Sequence, residues 1–224
     1  MVECRIKTAR ECDVSGILGA VTDESSTERF RLFVAITVPD GVRSEMIRVQ
    51  RELQPLAPRG AVRWARPEQF HLTLRFLGDV SSDRVATLQK SLHAVCSGAS
   101  AMHLRAQGIG FFPNARSPRV IWVGVKDDEN HLAELQKKIE SAVRQFTAEQ
   151  GGESFAGHVT LGRFKLVDRF DPSELTMSAE SMKDRRFGEW VAREVEIIRS
   201  ELSPAGARYT LLAAFPLATR IEPP

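Results

Sequence analysis

Two copies of one short motif carry the residues best suited to chemistry in this chain of 224 residues. His71 and Thr73 belong to one H-x-T-x motif, and His158 and Thr160 belong to the other. Because the side chains of a strand alternate between two faces, each histidine would share a face with its threonine. A neutral imidazole accepts a proton, an imidazolium donates one, and a hydroxyl can hydrogen-bond an anionic oxygen. Two such pairs facing each other across a cleft would form a symmetric acid–base site.

The other three histidines occupy ordinary positions. His93 lies in an amphipathic helix pattern, His103 on the polar face of an alternating strand, and His131 at a helix start. A single histidine in a strand is usually structural, so one motif alone would be a weak signal. The repetition of the motif with the same apolar spacing favours the catalytic interpretation.

Composition indicates a soluble globular protein, with 42% hydrophobic and 27% charged residues. The length suits one domain of two lobes, or two small domains, and is sufficient for a sizeable core. Lys and Arg number 31 against 29 Asp and Glu, a net charge of +2. The overall charge therefore does not indicate nucleic-acid binding, and any binding of anions must depend on a local patch of positive charge.

Cysteine and histidine spacing argues against a metal site. Cys4, Cys12 and Cys96 form no C-x-x-C pair and no zinc-like cluster, so a reducing cytoplasm is the simplest compartment. A two-histidine zinc hydrolase is disfavoured, because no third acidic or histidine ligand lies at helix spacing near either motif. We expect no metal and no cofactor. Sensitivity to chelators would revive the zinc alternative.

Residues 1–28 differ in pattern from the rest of the chain. Their apolar run from Val14 to Val21 is short and interrupted by Ser and Gly, which fits neither a secretory signal nor a membrane span. We interpret the segment as a poorly ordered N-terminal extension; a short helix docked on the core is the alternative. Residues 29–224 are expected to form a single domain with no membrane association.

Apolar periodicity outlines the elements of this domain. Helical spacing predicts helices at about residues 40–53, 82–95 and 129–146, with a further helical turn after Pro172. Strand patterns occur at about 31–38, 61–65, 69–77, 101–110, 118–125, 156–165, 188–200 and 207–216. The order lacks regular βα alternation, so an α+β fold with mostly antiparallel sheets fits best. Both H-x-T strands follow a helix and a Gly/Pro segment, which indicates an internal duplication.

The motifs and their surroundings resemble a known family. Beside the two motifs, the resemblance rests on Arg31-Leu-Phe-Val-Ala-Ile36, Val62-Arg-Trp64, Pro118-Arg-Val-Ile-Trp122 and Ser200-Glu-Leu-Ser-Pro-Ala-Gly-Ala-Arg-Tyr209. Over about residues 30–217 the chain is similar to the two-histidine phosphoesterase superfamily, and within it to the RNA 2′,3′-cyclic phosphodiesterases, also called 2′-5′ RNA ligases. The resemblance implies a bilobal fold, in which two pseudo-symmetric sheets with outer helices surround a central cleft.

The same resemblance implies a reaction. It is hydrolysis of RNA 2′,3′-cyclic phosphate ends, or of small cyclic nucleotides, to 2′-phosphates without a metal, by a monomer. Opening such a diester requires an acid and a base on opposite sides of the phosphorus. The family assignment makes His71 the acid and His158 the base, with Thr73 and Thr160 as hydrogen-bond donors to the phosphate. A ligase running in reverse and a non-catalytic RNA-end-binding module remain alternatives.

Three further residues are candidates for substrate binding. Strand alternation places Arg75 on the histidine face of its strand and Arg163 on the opposite face, unless the strand bulges. Arg75 is therefore the favoured phosphate ligand, and Arg163 the second choice. Phe112 lies in a loop with a proline and is the aromatic residue best placed to stack on a base.

Overall fold

The computed structural model describes residues 28–148, 155–165, 171–203 and 206–219. The predicted N-terminal extension, apart from residue 28, lies outside these ranges. In chain order the described elements are β1 (Arg29–Thr37), α1 (Asp40–Leu53), β2 (Val62–Trp64), β3 (His71–Ser81), α2 (Val85–Ser97), β4 (Met102–Phe112), β5 (Val120–Lys126), α3 (His131–Val143), β6 (His158–Phe164), α4 (Ser173–Ser181), β7 (Arg186–Ala192), β8 (Glu194–Ser203) and β9 (Gly206–Pro216). Short 3-10 turns flank several helices.

The strands form one curled antiparallel sheet in the order β7-β4-β5-β6-β3-β1-β8-β9, with β2 paired to β6. At its centre, β3 and β6 meet through a single residue pair, Leu72 and Val159. On one side of this pair lies lobe 1, made of β3, β1, β8 and β9, and on the other lies lobe 2, made of β6, β5, β4, β7 and β2. The expected α+β, two-lobed architecture is confirmed, and the two predicted sheets are joined into one.

The helices cover the outside of the lobes. In lobe 1, α2 packs on α3 and β9, and α3 also packs on β3; in lobe 2, α1 packs on β7 and α4 packs on β4. Apolar residues at helical spacing face the sheet, among them the fully buried Met46, Leu92 and Ile139. Each such burial stabilises the fold by about 1.5–3 kcal/mol. Within the described ranges, no helix is both long and apolar enough to span a bilayer.

The predicted strand at 188–200 is wrong as a single element. The structure has two strands there, β7 and β8, separated by Arg193. They lie on different lobes, because β7 pairs with β4 whereas β8 pairs with β1. No Gly or Pro stands between β7 and β8, so local composition does not indicate where the chain passes from one lobe to the other. The predicted helical turn after Pro172 is the nine-residue helix α4.

Candidate active site

A cleft of about 210 Å³ lies where the two lobes meet. Both motif pairs line it, so the structure brings the two histidines and two threonines together as strand alternation predicted. Its lining residues are Phe33, Arg63, Trp64, Ala65, Arg66, Gln69, His71, Thr73, Phe76, His158, Thr160, Gly162, Arg163, Gly206, Ala207 and Tyr209.

The single pair between β3 and β6 explains this placement. Leu72 and Val159 are fully buried and stand opposite each other. Since neighbours along a strand point to opposite faces, burying these two residues turns the flanking histidine and threonine of each strand to the cleft. The apolar residue inside each motif therefore orients the polar residues beside it.

A backbone carbonyl orients the imidazole of His158. Nδ1 of His158 lies 2.8 Å from the carbonyl oxygen of Ala156, two residues earlier. A ring that donates from Nδ1 keeps Nε2 for proton transfer. The backbone of Gln69, two residues before His71, raises the pKa of that imidazole and so favours its protonated form. The Nδ1 atom of His71 is buried, however, and makes no hydrogen bond of acceptable geometry with the described residues.

The site favours neutral histidines in the unliganded protein. Burial lowers the pKa of His71 below its ordinary value, and the positive charge of Arg43 lowers it further. Burial likewise lowers the pKa of His158, with a further contribution from Arg163. The backbone carbonyls partly oppose these shifts. An anionic substrate would offset the desolvation and favour the imidazolium forms.

Each imidazole is also held by aromatic rings. The His71 ring centroid lies 6.2 Å from that of Phe33 and 5.7 Å from that of Tyr209. On the other side, the His158 centroid lies 4.9 Å from that of Phe112, edge to face. Phe112 does not line the cleft. Its ring packs against the imidazole, and the expectation that it stacks on a base stays a prediction.

A bulge in β3 reverses the expectation for Arg75. Thr73 pairs with Ala35 and Arg75 with Val34, so Leu74 is an extra residue with no partner in β1. Beyond the bulge the alternation is inverted. Arg75 is only 9% exposed, and its Nε lies 2.8 Å from Oε2 of Glu140 in α3. It therefore faces the helix layer, away from the histidines.

A bulge at the equivalent point of β6 brings Arg163 into the cleft. Thr160 pairs with Trp122 and Gly162 with Ile121, which leaves Leu161 as the extra residue. Arg163 consequently shares the cleft face with the second motif, contrary to the expectation from simple alternation. The same shift in β3 turns Phe76, which is 50% exposed, to the cleft. Arg163 and Phe76 thus occupy equivalent positions in the two lobes.

The cleft contains functional candidates that were not predicted as site residues. Arg63 stands with Arg163 on the side of lobe 2, Arg66 donates a hydrogen bond to Ala207 of β9 in lobe 1, and among the described lining residues none is acidic. On the side of lobe 1, Phe76 and Tyr209 form an aromatic wall with Phe33. Burial raises the pKa of the Tyr209 phenol, which therefore stays protonated and can donate a hydrogen bond. Arg63 and Tyr209 lie within the segments on which the family resemblance rests.

The described part of the chain holds no group of three or more His, Cys, Asp and Glu side chains placed to bind a metal ion. The chemical groups that line the cleft are imidazoles, hydroxyls, guanidinium groups and aromatic rings. This set can bind a phosphate, donate a proton on one side of it and accept a proton on the other.

Comparison with known proteins agrees with this geometry. The model of the LigT-like phosphoesterase family matches twice, at residues 36–122 and 123–209, which supports the internal duplication. An RNA 2′,3′-cyclic phosphodiesterase of Archaeoglobus fulgidus is 32% identical over 83% of this chain and 99% of its own length. A protein of the same name from Thermus thermophilus is 31% identical over 84% of this chain and 90% of its own.

Solved structures show the same fold. The crystal structure of the Thermus thermophilus protein TT0787 has a TM-score of 0.69 and 27% identity, and covers 85% of this chain and 99% of its own. The structure of E. coli LigT complexed with 3′-AMP has a TM-score of 0.67 at 24% identity, with the same coverage. The paired motifs, the shared cleft and the double match of the family model lead to one conclusion: the chain belongs to the LigT-like phosphoesterases, the two-histidine enzymes that its motifs resemble.

Proposed function

We propose that this protein hydrolyses RNA 2′,3′-cyclic phosphate ends to 2′-phosphates, with His71 and His158 as the acid–base pair and no metal. One observation carries the proposal: two H-x-T pairs face a single cleft whose described charged side chains are all arginines. Such a cleft suits an anion that needs proton transfer on two sides. The names of the relatives from Archaeoglobus fulgidus and Thermus thermophilus support the same substrate class.

In the proposed reaction, His158 accepts a proton from water as the water oxygen forms a bond to phosphorus. The bond from phosphorus to the 3′ oxygen breaks, and His71 donates a proton to that oxygen. The product carries a 2′-phosphate, and one proton has passed through the site with no net change. The division of roles follows the family assignment. Opposed acid and base groups are what an in-line displacement at phosphorus requires.

Side chains that line the cleft would stabilise the negative charge on the non-bridging phosphate oxygens. Thr73 and Thr160 present hydroxyls beside the histidines, and Arg163 adds a guanidinium group on the same face. Donors aimed at developing negative charge in a site of low water content contribute strongly to catalysis. The bulge at Leu161 therefore matters for function, because it determines that Arg163 is available.

The two sides of the cleft suggest how the rest of an RNA end binds. Phe76 and Tyr209 offer ring faces on which a base can stack. Arg63 lies on the opposite side, in lobe 2, and Arg66 donates to the carbonyl of Ala207 in lobe 1 at 2.9 Å; both could contact backbone phosphates. We expect recognition to be tolerant of base identity, because stacking discriminates weakly between bases.

The decisive assay uses purified protein with a nucleoside 2′,3′-cyclic phosphate and with an oligoribonucleotide that ends in one. Exclusive formation of the 2′-phosphate is the expected result. Exclusive formation of the 3′-phosphate would contradict the proposal. Binding of the oligonucleotide without turnover would identify an RNA-end-binding module instead. Adding an RNA with a 5′-hydroxyl tests the ligase alternative, for which the same residues would form a 2′-5′ bond and release no 2′-phosphate.

Hydrolysis is expected to persist in an excess of chelator. Acid, base and phosphate contacts are all supplied by side chains of the cleft, so removal of divalent ions should leave kcat/KM within about twofold, well under the cost of losing one catalytic group. The rate is measured on a cyclic mononucleotide with and without EDTA after dialysis. Complete loss of activity that zinc or manganese restores would overturn this prediction.

The pH profile of kcat/KM is expected to be bell-shaped. Activity should rise as His158 loses its proton and fall as His71 loses its own. Since burial lowers both pKa values, both limbs of the free enzyme should lie below the ordinary histidine pKa of about 6.5. The profile of kcat should shift to higher pH, because bound phosphate favours the imidazolium. A flat profile, or a single limb between pH 4 and 8, would refute paired histidine catalysis.

A further inference from the structure

The position of Arg163 depends on one bulge, and a buried glutamine lies against that bulge. Gln50 of α1 is 5% exposed. Its Nε2 donates to the carbonyl oxygen of Leu161 at 3.0 Å and to that of Ala65 at 2.8 Å. Leu161 is the extra residue of the β6 bulge, and Ala65 directly follows β2 and lines the cleft. One buried amide group therefore joins two segments of the site.

Three hydrogen bonds connect Gln50, Ala65 and Leu161 to one another. The backbone N–H of Ala65 also donates to the carbonyl of Leu161, at 2.8 Å. The carbonyl of the bulge thus accepts two hydrogen bonds, one from the β2 side of the sheet and one from the helix behind it. Without Gln50, the carbonyl of Ala65 would lose this buried partner, which costs about 1–3 kcal/mol when nothing replaces it.

The packing beside the bulge leaves little freedom. A Cβ added at Gly162 would lie 2.8 Å from Cγ1 of Val62 and 3.1 Å from Cε3 of Trp64. β2 therefore lies very close to the bulged strand, and only glycine fits between them. A small shift of β2 would move both Trp64 and the start of the segment that carries Arg66.

Lobe 1 has a counterpart to this arrangement. Gln136 of α3 lies with its Nε2 3.5 Å from the carbonyl oxygen of Leu74, the extra residue of the β3 bulge. This contact is long, and the same bulge is also held by the ion pair of Arg75 with Glu140, one turn further along α3. The repetition of a helix glutamine at the bulge carbonyl in both lobes indicates that each repeat supplies a glutamine to the bulged strand of the other.

We infer that Gln50 is a positioning residue of the active site: its amide holds the Leu161 bulge in the register that turns Arg163 to the cleft, and it couples that bulge to the segment of Trp64 and Arg66. The role of Arg163 as a phosphate ligand rests on the proposed function; the geometric coupling does not. Gln50 touches no substrate, and it acts through Arg163.

The test compares Gln50→Met with Gln54→Leu in the full-length protein. Methionine keeps the length of the side chain and removes both N–H donors, whereas Gln54 is an exposed residue just past α1 and serves as the matched control. We expect Gln50→Met to lower kcat/KM on a cyclic mononucleotide by about 10- to 100-fold, the loss that a misplacement of about 1 Å can cause. Gln54→Leu should leave the rate unchanged.

A double-mutant cycle separates positioning from a general structural effect. If Gln50 acts through Arg163, the variant with both Gln50→Met and Arg163→Ala should be no slower than Arg163→Ala alone, because coupled residues are not additive. If the fold-losses in kcat/KM of the two single variants multiply in the double variant, the inference is overturned. An unchanged kcat/KM in Gln50→Met would overturn it as well. Should Gln50→Met fail to fold, Gln50→Asn tests the same point, since its amide is one methylene shorter and cannot reach both carbonyls at once.

Phosphate binding gives a readout that does not need turnover. Inorganic phosphate is titrated into the wild type and each variant, and the ring resonances of His158 and the Nε–H resonance of Arg163 are followed by NMR. Weaker binding in Gln50→Met, with no further weakening when Arg163→Ala is added, supports the inference even if the wild type does not hydrolyse cyclic phosphates. Equal phosphate binding in the wild type and Gln50→Met would refute it.

Discussion

Replacing either His71 or His158 by alanine is expected to lower kcat/KM on a 2′,3′-cyclic nucleotide by about two to four orders of magnitude, the usual contribution of a positioned acid or base. Both rings lie in one cleft, and the ring of His158 is oriented by the carbonyl of Ala156, so each variant removes an imidazole already placed at the site. The double variant should be scarcely slower than either single variant, because the two groups act in one step. Steady-state rates on a cyclic mononucleotide measure all three.

The matched control for these variants is His103→Ala. His103 is exposed on β4 and does not line the cleft. Its replacement should leave both the rate and the free energy of unfolding nearly unchanged, within about 0.5 kcal/mol for the latter. If the His71 and His158 variants keep most of the activity of the wild type while His103→Ala loses it, the assignment of the site is wrong.

A substrate with a good leaving group separates the two roles. A nitrophenyl phosphodiester needs little protonation of its leaving oxygen, so it should largely restore the rate of the variant that lacks the acid. Rescue is expected for His71→Ala and not for His158→Ala. Rescue of His158→Ala alone would reverse the assignment. Rescue of neither would indicate that both imidazoles serve mainly to bind phosphate.

Local sequence pattern was sufficient for most of the fold and for the centre of the site. The helices α1, α2 and α3 follow from apolar spacing, because a helix that covers a sheet needs one apolar face. The motif histidines face the cleft because Leu72 and Val159, between each histidine and threonine, are suited to burial. These features depend only on residues a few positions apart, which is the range that periodicity can report.

The two bulges could not be read from the chain in the same way. Leu74 and Leu161 are ordinary strand residues, and each becomes an extra residue only through its alignment with a neighbouring strand. That alignment depends on partners distant in sequence, such as the Gln50 amide at Leu161. Strict alternation therefore assigned the two arginines to the wrong faces. The boundary between β7 and β8 at Arg193 could not be predicted for a similar reason. The pairing of β7 with β4 and of β8 with β1 depends on tertiary structure.

The two arginines also provide the sharpest test of the bulges. Arg163→Ala should lower kcat/KM by about 10²–10³-fold, the usual cost of removing one preorganised group that stabilises transition-state charge. Its side chain is exposed in the cleft, so the free energy of unfolding should change little. Arg75→Ala should instead lower the free energy of unfolding and leave kcat/KM nearly unchanged, because Arg75 is buried and paired with Glu140.

Loss of Arg75 leaves the Glu140 carboxylate of α3 without this ion-pair partner. The Glu140 side chain is 30% exposed, so water can partly solvate it, and we expect a loss of about 1–3 kcal/mol, less than the 3–5 kcal/mol of a fully buried pair. Urea denaturation measures this loss, and kinetics at a temperature where the variant is fully folded measure activity. Arg75→Met, which keeps the packing of the stem but not the charge, separates the ion pair from the apolar contacts. If instead Arg75→Ala loses activity at unchanged stability while Arg163→Ala remains active, simple strand alternation would describe the protein in solution better than the bulged strands do.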